Sequence, residues 1–483
     1  MKKSCIFLLS YLLSFCASAQ FLDPQSQKNA LPSIGVVAAN AISIEKEMQI
    51  GDIFMRQLRS RAPLAMDPVL EEYLNDIGNR LVVQANDVRF PFTFFWVSSP
   101  EINAFAFFGG HIGVHTGLML NADNESELAS VLAHEISHVT QRHIARSIAE
   151  QQKNSPLHIA SLLGGLLLAV VNPEAGIAAI SAGNAASRQF GINYTRSNEQ
   201  EADRVGFQIL SKSGFDTAGA STFFGKLAAK YRSRSKPPAF LLTHPLPESR
   251  IADARNRQQT DPSSRRPPSL PFHLAKARVV ARYSNDSRHN IEMFKNMLVK
   301  KTYVFEDAAL YGLAISLFDD GQFKEAARII DDLLKRSPSN LFYVDVATDI
   351  DIALRKTERA IERLEEMAKI MPRNRVISLN LANAAIKHGD YQKANNVVKD
   401  YLLTNPEHAL SYQLLTESYG ESQQFLEMHQ SKAEWYALLA AYPQAIDELH
   451  SAYNYARDNH LEKQRIRARI EQIREAQDQM KRL

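Results

Sequence analysis

Two histidines four residues apart, with a glutamate directly after the first, carry the strongest chemical signal in this chain: His134-Glu135-Ile136-Ser137-His138. On a helix four residues advance about 400°, so both imidazoles project from one face, one turn apart. That spacing can clamp one Zn²⁺, and it sets Glu135 where a carboxylate can take a proton from the attacking water. A catalytic zinc needs a third protein ligand and one position left for water. Candidates lie in Ser197-Asn198-Glu199-Gln200-Glu201-Ala202-Asp203, which reads as a helix start. Glu199 and Asp203 share a face there by the same four-residue spacing. Glu201 lies about 160° from Asp203 and is expected to point elsewhere. Glu199 is therefore assigned as the third ligand. Asp203 is assigned to orient a ligating histidine or to donate a proton to the leaving amine.

The elements that must position these groups are readable around them. Asp67-Pro68 starts a helix with apolar residues at helical spacing, Asp67 as cap and Pro68 at its first position. Phe92 to Val97 is a β-branched and aromatic run. Asn103 to Phe108 is again extended, and Gly109-Gly110 turns into a further strand, His111 to His115. Asn124-Glu125-Ser126-Glu127 resembles a capping box that opens the helix of the histidine pair. Among the other histidines, His143 falls off the ligand face and reads as structural. His111 and His115 share one side of a strand, where lining the cleft and a plain core or exposed role are both open. His158 has no partner that can be named.

Composition bounds the rest. With 483 residues, 45% apolar and 23% charged, the chain is globular and too long for one ordinary core. A formal charge of +3 and the absence of any Lys/Arg block interleaved with aromatics argue against a nucleic-acid partner. Lys2 and Lys3, the apolar run Ile6 to Phe15 and Ala17-Ser18-Ala19 read as a secretory signal, residues 1–19, cleaved after Ala19. The apolar run is shorter than the roughly 20 residues of a membrane span. Both cysteines, Cys5 and Cys16, leave with it, and the loss of Lys2 and Lys3 takes the charge to +1. Leu162 to Val171 is ten apolar or Gly residues long, too short to cross a bilayer. A buried or cleft-lining helix is expected, peripheral membrane contact being the alternative, and the apolar residues Gly176 to Ala182 could complete a helical hairpin.

A polar, proline-containing stretch at 256–272 reads as the linker between a catalytic half, 20–255, and a helical half, 273–483. In the second half Pro338, Pro372 and Pro406 recur every 34 residues, as do Ala326, Ala360 and Ala394. A 34-residue unit of two helices, with a small residue at the crossing and Pro at its end, is the tetratricopeptide signature. Tyr442, Ala445, Leu449 and Ala452 repeat the second-helix pattern half a period out of phase, so an irregular insert is expected around 420–435, before a solvated capping helix at 461–483. The expected fold is an α+β zincin-like domain, mostly helical with a small sheet, followed by an all-α repeat array.

The two motifs, His-Glu-x-x-His at 134–138 and Glu-x-x-Ala-Asp at 199–203, together with Asn103-Ala104-Phe105-Ala106 and Gly109-Gly110-His111-Ile112-Gly113-Val114, resemble the zinc metallopeptidase family that includes HtpX. Many relatives carry Pro where this chain has Phe108. With the leader and the repeats, the whole chain is similar to the periplasmic protease-chaperone branch of Gram-negative bacteria. That resemblance implies one Zn²⁺ per chain and a zinc endopeptidase with chaperone-like activity in outer-membrane protein assembly and quality control. It implies unfolded or misassembled outer-membrane proteins as substrates, and the assembly machinery as a partner reached through the repeats. The strand Asn103, Ala104, Phe105, Ala106 would offer its edge to an extended substrate, main-chain pairing giving affinity with weak sequence preference. His244, in Thr243-His244-Pro245-Leu246-Pro247, lies in a rigid loop of a kind found near the family's active site. It could reach the zinc's open position and hold the enzyme latent, or serve the following helix as a cap; Arg250 could support that loop or an oxyanion. The competing reading is a non-proteolytic assembly chaperone with a mainly structural zinc, which would have no need of Glu135.

Overall fold

The computed structural model describes residues 42–152, 185–231, 240–241, 244–245, 248–260 and 267–482. The expected leader with its cleavage point, the apolar stretches 162–171 and 176–182, and His158 lie outside these residues. No described helix is long and apolar enough to cross a membrane.

Local sequence signals set the first elements. Helix α1 (Ile44–Arg61) is capped by Ser43. Helix α2 (Pro68–Val82) begins as its sequence predicts: the Asp67 carboxylate accepts from the Leu70 N–H at 3.1 Å, and Pro68 occupies a position where no N–H is needed. Strands β1 (Thr93–Val97), β2 (Ala104–Phe107) and β3 (His111–His115) form one sheet in the order β1-β3-β2. Strand β3 runs parallel to β1 and antiparallel to β2, with Phe95 and Phe105 both opposite Gly113. Between β2 and β3 the chain turns through Gly109 and Gly110 at φ 78° and 85°, a left-handed region that a β-carbon disfavours. Strand β2 therefore forms an edge of the sheet.

After a short helix α3 (Thr116–Asn121) comes α4 (Glu125–Thr140), the helix of the histidine pair. Asn124 caps it by accepting from the Glu127 N–H at 3.0 Å, and the Glu127 carboxylate reaches back to the Asp123 N–H at 2.8 Å. Helices α5 (His143–Gln152), α6 (Ala185–Lys212), α7 (Ala218–Tyr231) and α8 (Glu248–Thr260) complete the catalytic half. One face of the sheet, with Phe94, Trp96, Ala104, Ile112 and Val114, packs into a core shared with α2 and α4. The other, with Phe95, Val97 and Phe107, packs against α1 and α5. Helix α6 passes α4 closely at Gly206, where a β-carbon would stand 3.1 Å from the backbone of Ala133 and His134. That approach brings Glu199 and Asp203 against the histidine pair.

Helix α8 runs to Thr260, inside the stretch read as a linker, and α9 (Leu270–Tyr283) opens the second half. It is followed by α10 (Ser287–Lys300), α11 (Glu306–Asp319), α12 (Phe323–Arg336), α13 (Leu341–Ala353), α14 (Thr357–Ile370), α15 (Arg375–His388) and α16 (Tyr391–Leu402). The array ends with α17 (Ala409–Glu421), α18 (Phe425–Leu438), α19 (Tyr442–Tyr455) and α20 (His460–Lys481). Ala326, Ala360 and Ala394 are fully buried on α12, α14 and α16, where a small side chain lets paired helices approach. The expected insert at 420–435 is absent. Helix α18 fills most of it, and α11, α13, α15, α17 and α19 start 35, 34, 34 and 33 residues apart. The apparent slip has a simple cause. Met428 stands where the period calls for Ala, and Ala445 lies on α19, the first helix of its own pair.

The two halves share one apolar core that runs from α2, the sheet and α4 into α9, α11, α12 and α13. Within it Arg278 of α9, 2% exposed at its side chain, donates from Nε to the Asp67 carboxylate at 2.6 Å and from Nη1 to the Tyr311 hydroxyl at 3.0 Å. The same Nη1 lies 2.7 Å from an Asp345 carboxylate oxygen. The array curves round until its far end meets α1: Arg56 donates to the Ala437 carbonyl at 3.1 Å and pairs with Glu407, and Gln49 donates to Gln479 at 3.2 Å.

Candidate metal centre

Helix α4 presents His134 and His138 from one face, α6 presents Glu199, and the segment before α8 presents His244; their donor atoms all lie within 4.8 Å of one another. The Nε2 atoms of His134 and His138 are 3.0 Å apart, and each is 3.3 Å from a Glu199 oxygen. His244 Nδ1 is 3.3 Å from His134 Nε2 and 3.0 Å from Glu199 Oε1. Tetrahedral zinc with bonds of about 2.0–2.1 Å places its donors about 3.3–3.4 Å apart. The donor set is therefore already near that spacing. It is also a set that repels itself unless a cation or proton stands between the lone pairs, so a dication bound by imidazole and carboxylate fits it.

The electrostatics agree. Burial pushes His138 down to about 4, leaving a neutral imidazole ready to ligate. Burial also opposes charge on His134, but the Glu199 and Asp203 carboxylates outweigh it and raise its pKa to about 10. Without a metal, His134 thus keeps a proton where the cation would sit. Glu199 is held well below its usual range by the surrounding imidazoles in spite of its burial.

Asp203 stands behind the cluster, its Oδ1 3.1 Å from His134 Nδ1. Arg250, buried on α8, grips it with two bonds of 2.6 and 2.7 Å, lies 2.8 Å from Glu199 Oε2 and donates to the Pro245 carbonyl at 2.6 Å. Arg250 thereby ties the second carboxylate to the loop of His244. Sequence gave no way to choose it among the basic residues as the partner of Asp203. His244 stacks on Phe240 with ring centroids 4.9 Å apart, and its backbone N–H donates to the Phe240 carbonyl at 2.7 Å. Its Nε2 is 3.4 Å from Glu135 Oε1, an oxygen that is buried and makes no hydrogen bond among the described residues. The edge strand β2 packs beside α4.

For His111 and His115 the core role holds, and the readings of His143 and Glu201 change. His111 and His115 point to the α1 side of the sheet, not to α4: His111 Nε2 is 3.6 Å from Asp52, and His115 packs edge-on to Phe105. Both belong to the core, and burial lowers the pKa of His115 to about 4. His143 and Glu201, set aside on helical spacing, touch the site. His143 Nδ1 is 2.8 Å from His138 Nδ1, and His143 Nε2 is 3.2 Å from Glu201 Oε2.

Both halves of the chain match known families. Residues 68–258 match Peptidase family M48, and residues 351–419 match a Tetratricopeptide repeat. The chain is 43% identical over 453 residues to the Beta-barrel assembly-enhancing protease of Escherichia coli (strain K12), covering 94% of this chain and 93% of that protein. It is 43% identical over 465 residues to the Putative beta-barrel assembly-enhancing protease of Vibrio cholerae, covering 96% of each. A shorter similarity, 32% over 157 residues, links it to the mitochondrial Metalloendopeptidase OMA1 of Bos taurus, covering 31% of this chain and 29% of the relative.

Proposed function

Because the chain belongs to the family of the beta-barrel assembly-enhancing proteases and carries a Peptidase family M48 domain, we propose that it is a periplasmic zinc endopeptidase with chaperone-like activity, acting on unfolded or stalled outer-membrane proteins. The observation that carries this reading is the donor cluster of His134, His138, Glu199 and His244 beside the buried, unbonded oxygen of Glu135. His134, His138 and Glu199 hold the metal. When bound, Zn²⁺ supplies a Lewis acid for the scissile carbonyl and lowers the pKa of water toward about 7. Glu135 takes the proton of the attacking water and passes it to the leaving amine as the C–N bond breaks. Asp203 orients His134, and Arg250 keeps Asp203 ionised and in place. The segment Asn103 to Ala106, which enters and runs along the edge strand β2, pairs with the main chain of an extended substrate, which suits clients that lack a fold.

His244 completes a four-donor set, so at rest the position needed by water and substrate is taken. We read it as a latch that substrate displaces. His244→Ala is expected to keep zinc and to raise basal proteolysis roughly tenfold for each ~1.4 kcal/mol by which the closed state is favoured. Unchanged basal cleavage with zinc still bound would remove the latch. The leader is read as an export signal cleaved after Ala19, and the repeats as the surface that meets partner proteins, the outer-membrane assembly machinery among them.

A closed four-ligand set also favours a second reading, an assembly adaptor with a structural zinc. Chelation separates the two. The purified protein is expected to hold one zinc per chain, to cleave an unfolded test protein, to lose cleavage on chelation and to regain it with added Zn²⁺. Cleavage undiminished in the metal-free protein would sink the zinc-peptidase reading.

A further inference from the structure

The turn after α4 brings together two residues that helical spacing separates. On an unbroken helix His143 would lie about 140° round from His138. The helix breaks instead at Arg142, φ 52°, a left-handed conformation that a residue with a β-carbon adopts at a cost. The guanidinium holds it there: it is buried against Glu47 of α1, with Nε to Oε1 at 2.8 Å, and donates to the Ile42 carbonyl at 2.6 Å. Helix α5 then starts afresh, with His143 turned back beneath His138.

Chemistry fixes the hydrogens along this contact. His138 directs Nε2 at the donor cluster, so as a ligand it carries its hydrogen on Nδ1. The atom 2.8 Å away is His143 Nδ1, which accepts that hydrogen through its lone pair. A neutral His143 then carries its own hydrogen on Nε2 and donates it to Glu201 Oε2 at 3.2 Å. Arg146 donates to the same oxygen at 2.8 Å. Every donor in the row meets an acceptor in one direction only. At His134 the group facing Nδ1 is instead a carboxylate, Asp203 Oδ1 at 3.1 Å.

We propose that Glu201 and His143 form a positioning relay for His138, fixing its tautomer and ring orientation and strengthening Nε2 as a metal ligand, with the Arg142 turn as the device that assembles it. The proposal rests on His138 being a zinc ligand. An imidazole held by an oriented acceptor is a better ligand, and partners of this kind contribute about 10–100-fold in metal affinity.

The test is equilibrium zinc affinity of the full mature chain, by competition with a chelating chromophore, beside the melting temperature of the metal-free protein. His143→Leu is expected to weaken zinc binding about 10–100-fold with little change in metal-free melting. His143→Asn, whose amide oxygen stands near the place of Nδ1, should recover much of the loss. Glu201→Gln keeps an acceptor without the charge and should fall between. Wild-type affinity in His143→Leu would overturn the relay, as would a loss in His143→Asn as large as in His143→Leu, which would mark a packing role. If His143→Leu fails to fold, Glu201→Gln decides: reduced affinity supports the relay, and unchanged affinity overturns it. If His138→Ala binds zinc as tightly as wild type, the reading of the site itself fails instead.

Discussion

Glu135→Gln is expected to abolish cleavage of an unfolded protein while leaving zinc content and fold intact. The carboxylate is 1% exposed, and its Oε1 has His244 Nε2 at 3.4 Å as its basic neighbour and no hydrogen bond among the described residues. A buried acceptor without a bond is destabilising by about 1–3 kcal/mol, more if charged, so folding alone gives no reason for a glutamate there. The amide matches its shape but cannot take a proton. A lost general base lowers kcat by about 10²–10⁴-fold. Since Glu135 acts on the water and not on binding, KM should stay near its wild-type value. Metal analysis and melting of the variant supply the controls; cleavage at the wild-type rate would remove Glu135 from the mechanism. A variant that is inactive as a protease yet fully supports outer-membrane protein assembly in cells would make the chaperone activity the principal one.

The largest expected loss of stability follows Arg278→Ala. The guanidinium stands between Asp67, which caps α2 of the catalytic half, and Asp345 of α13, with the Tyr311 hydroxyl as a third contact. Removing it takes away the cation that both buried carboxylates contact directly, a change of about 3–5 kcal/mol in comparable sites. Denaturant unfolding should register it as a lower midpoint; a midpoint equal to wild type would refute it. The sign of the pH dependence follows from Asp67. Although burial opposes ionisation, Arg278 and Arg282 hold its pKa below the ordinary 3.8. A carboxylate with a lowered folded pKa contributes stability above its unfolded pKa and loses it as pH falls through the folded value. Wild-type stability from this group should therefore be full at neutral pH and fall away below about pH 4. Arg278→Ala should show a shallower acid dependence.

The parts legible in the sequence were those governed by short-range periodicity. Four-residue spacing put His134 with His138 and Glu199 with Asp203, and cap chemistry at Asp67 and Asn124 started two helices where they start in the fold. The same rule misled where the helix stops. An unbroken helical rotation turns His143 away from the ligand face, and face-counting on one helix turns Glu201 away, whereas a left-handed residue at Arg142 re-aims the one toward the other. No local pattern marks an arginine for that conformation; a buried carboxylate 95 residues away holds it. The phase slip near Ala445 was a matter of side-chain identity, Met428 for Ala, and helix lengths kept the period that composition obscured.

Helix α1 belongs to two circuits at once. On one side it carries Glu47, which holds Arg142, and Gly51, which lies against the Phe108 carbonyl at the turn into β3. On the other it carries Gln49 and Arg56, which hold the far end of the array. The chain is thus a loop clasped shut, with its first described helix as the buckle. Glu47, which grips Arg142 at the turn after the histidine pair, and Gln49, which holds the last helix of the array, stand only two residues apart on it.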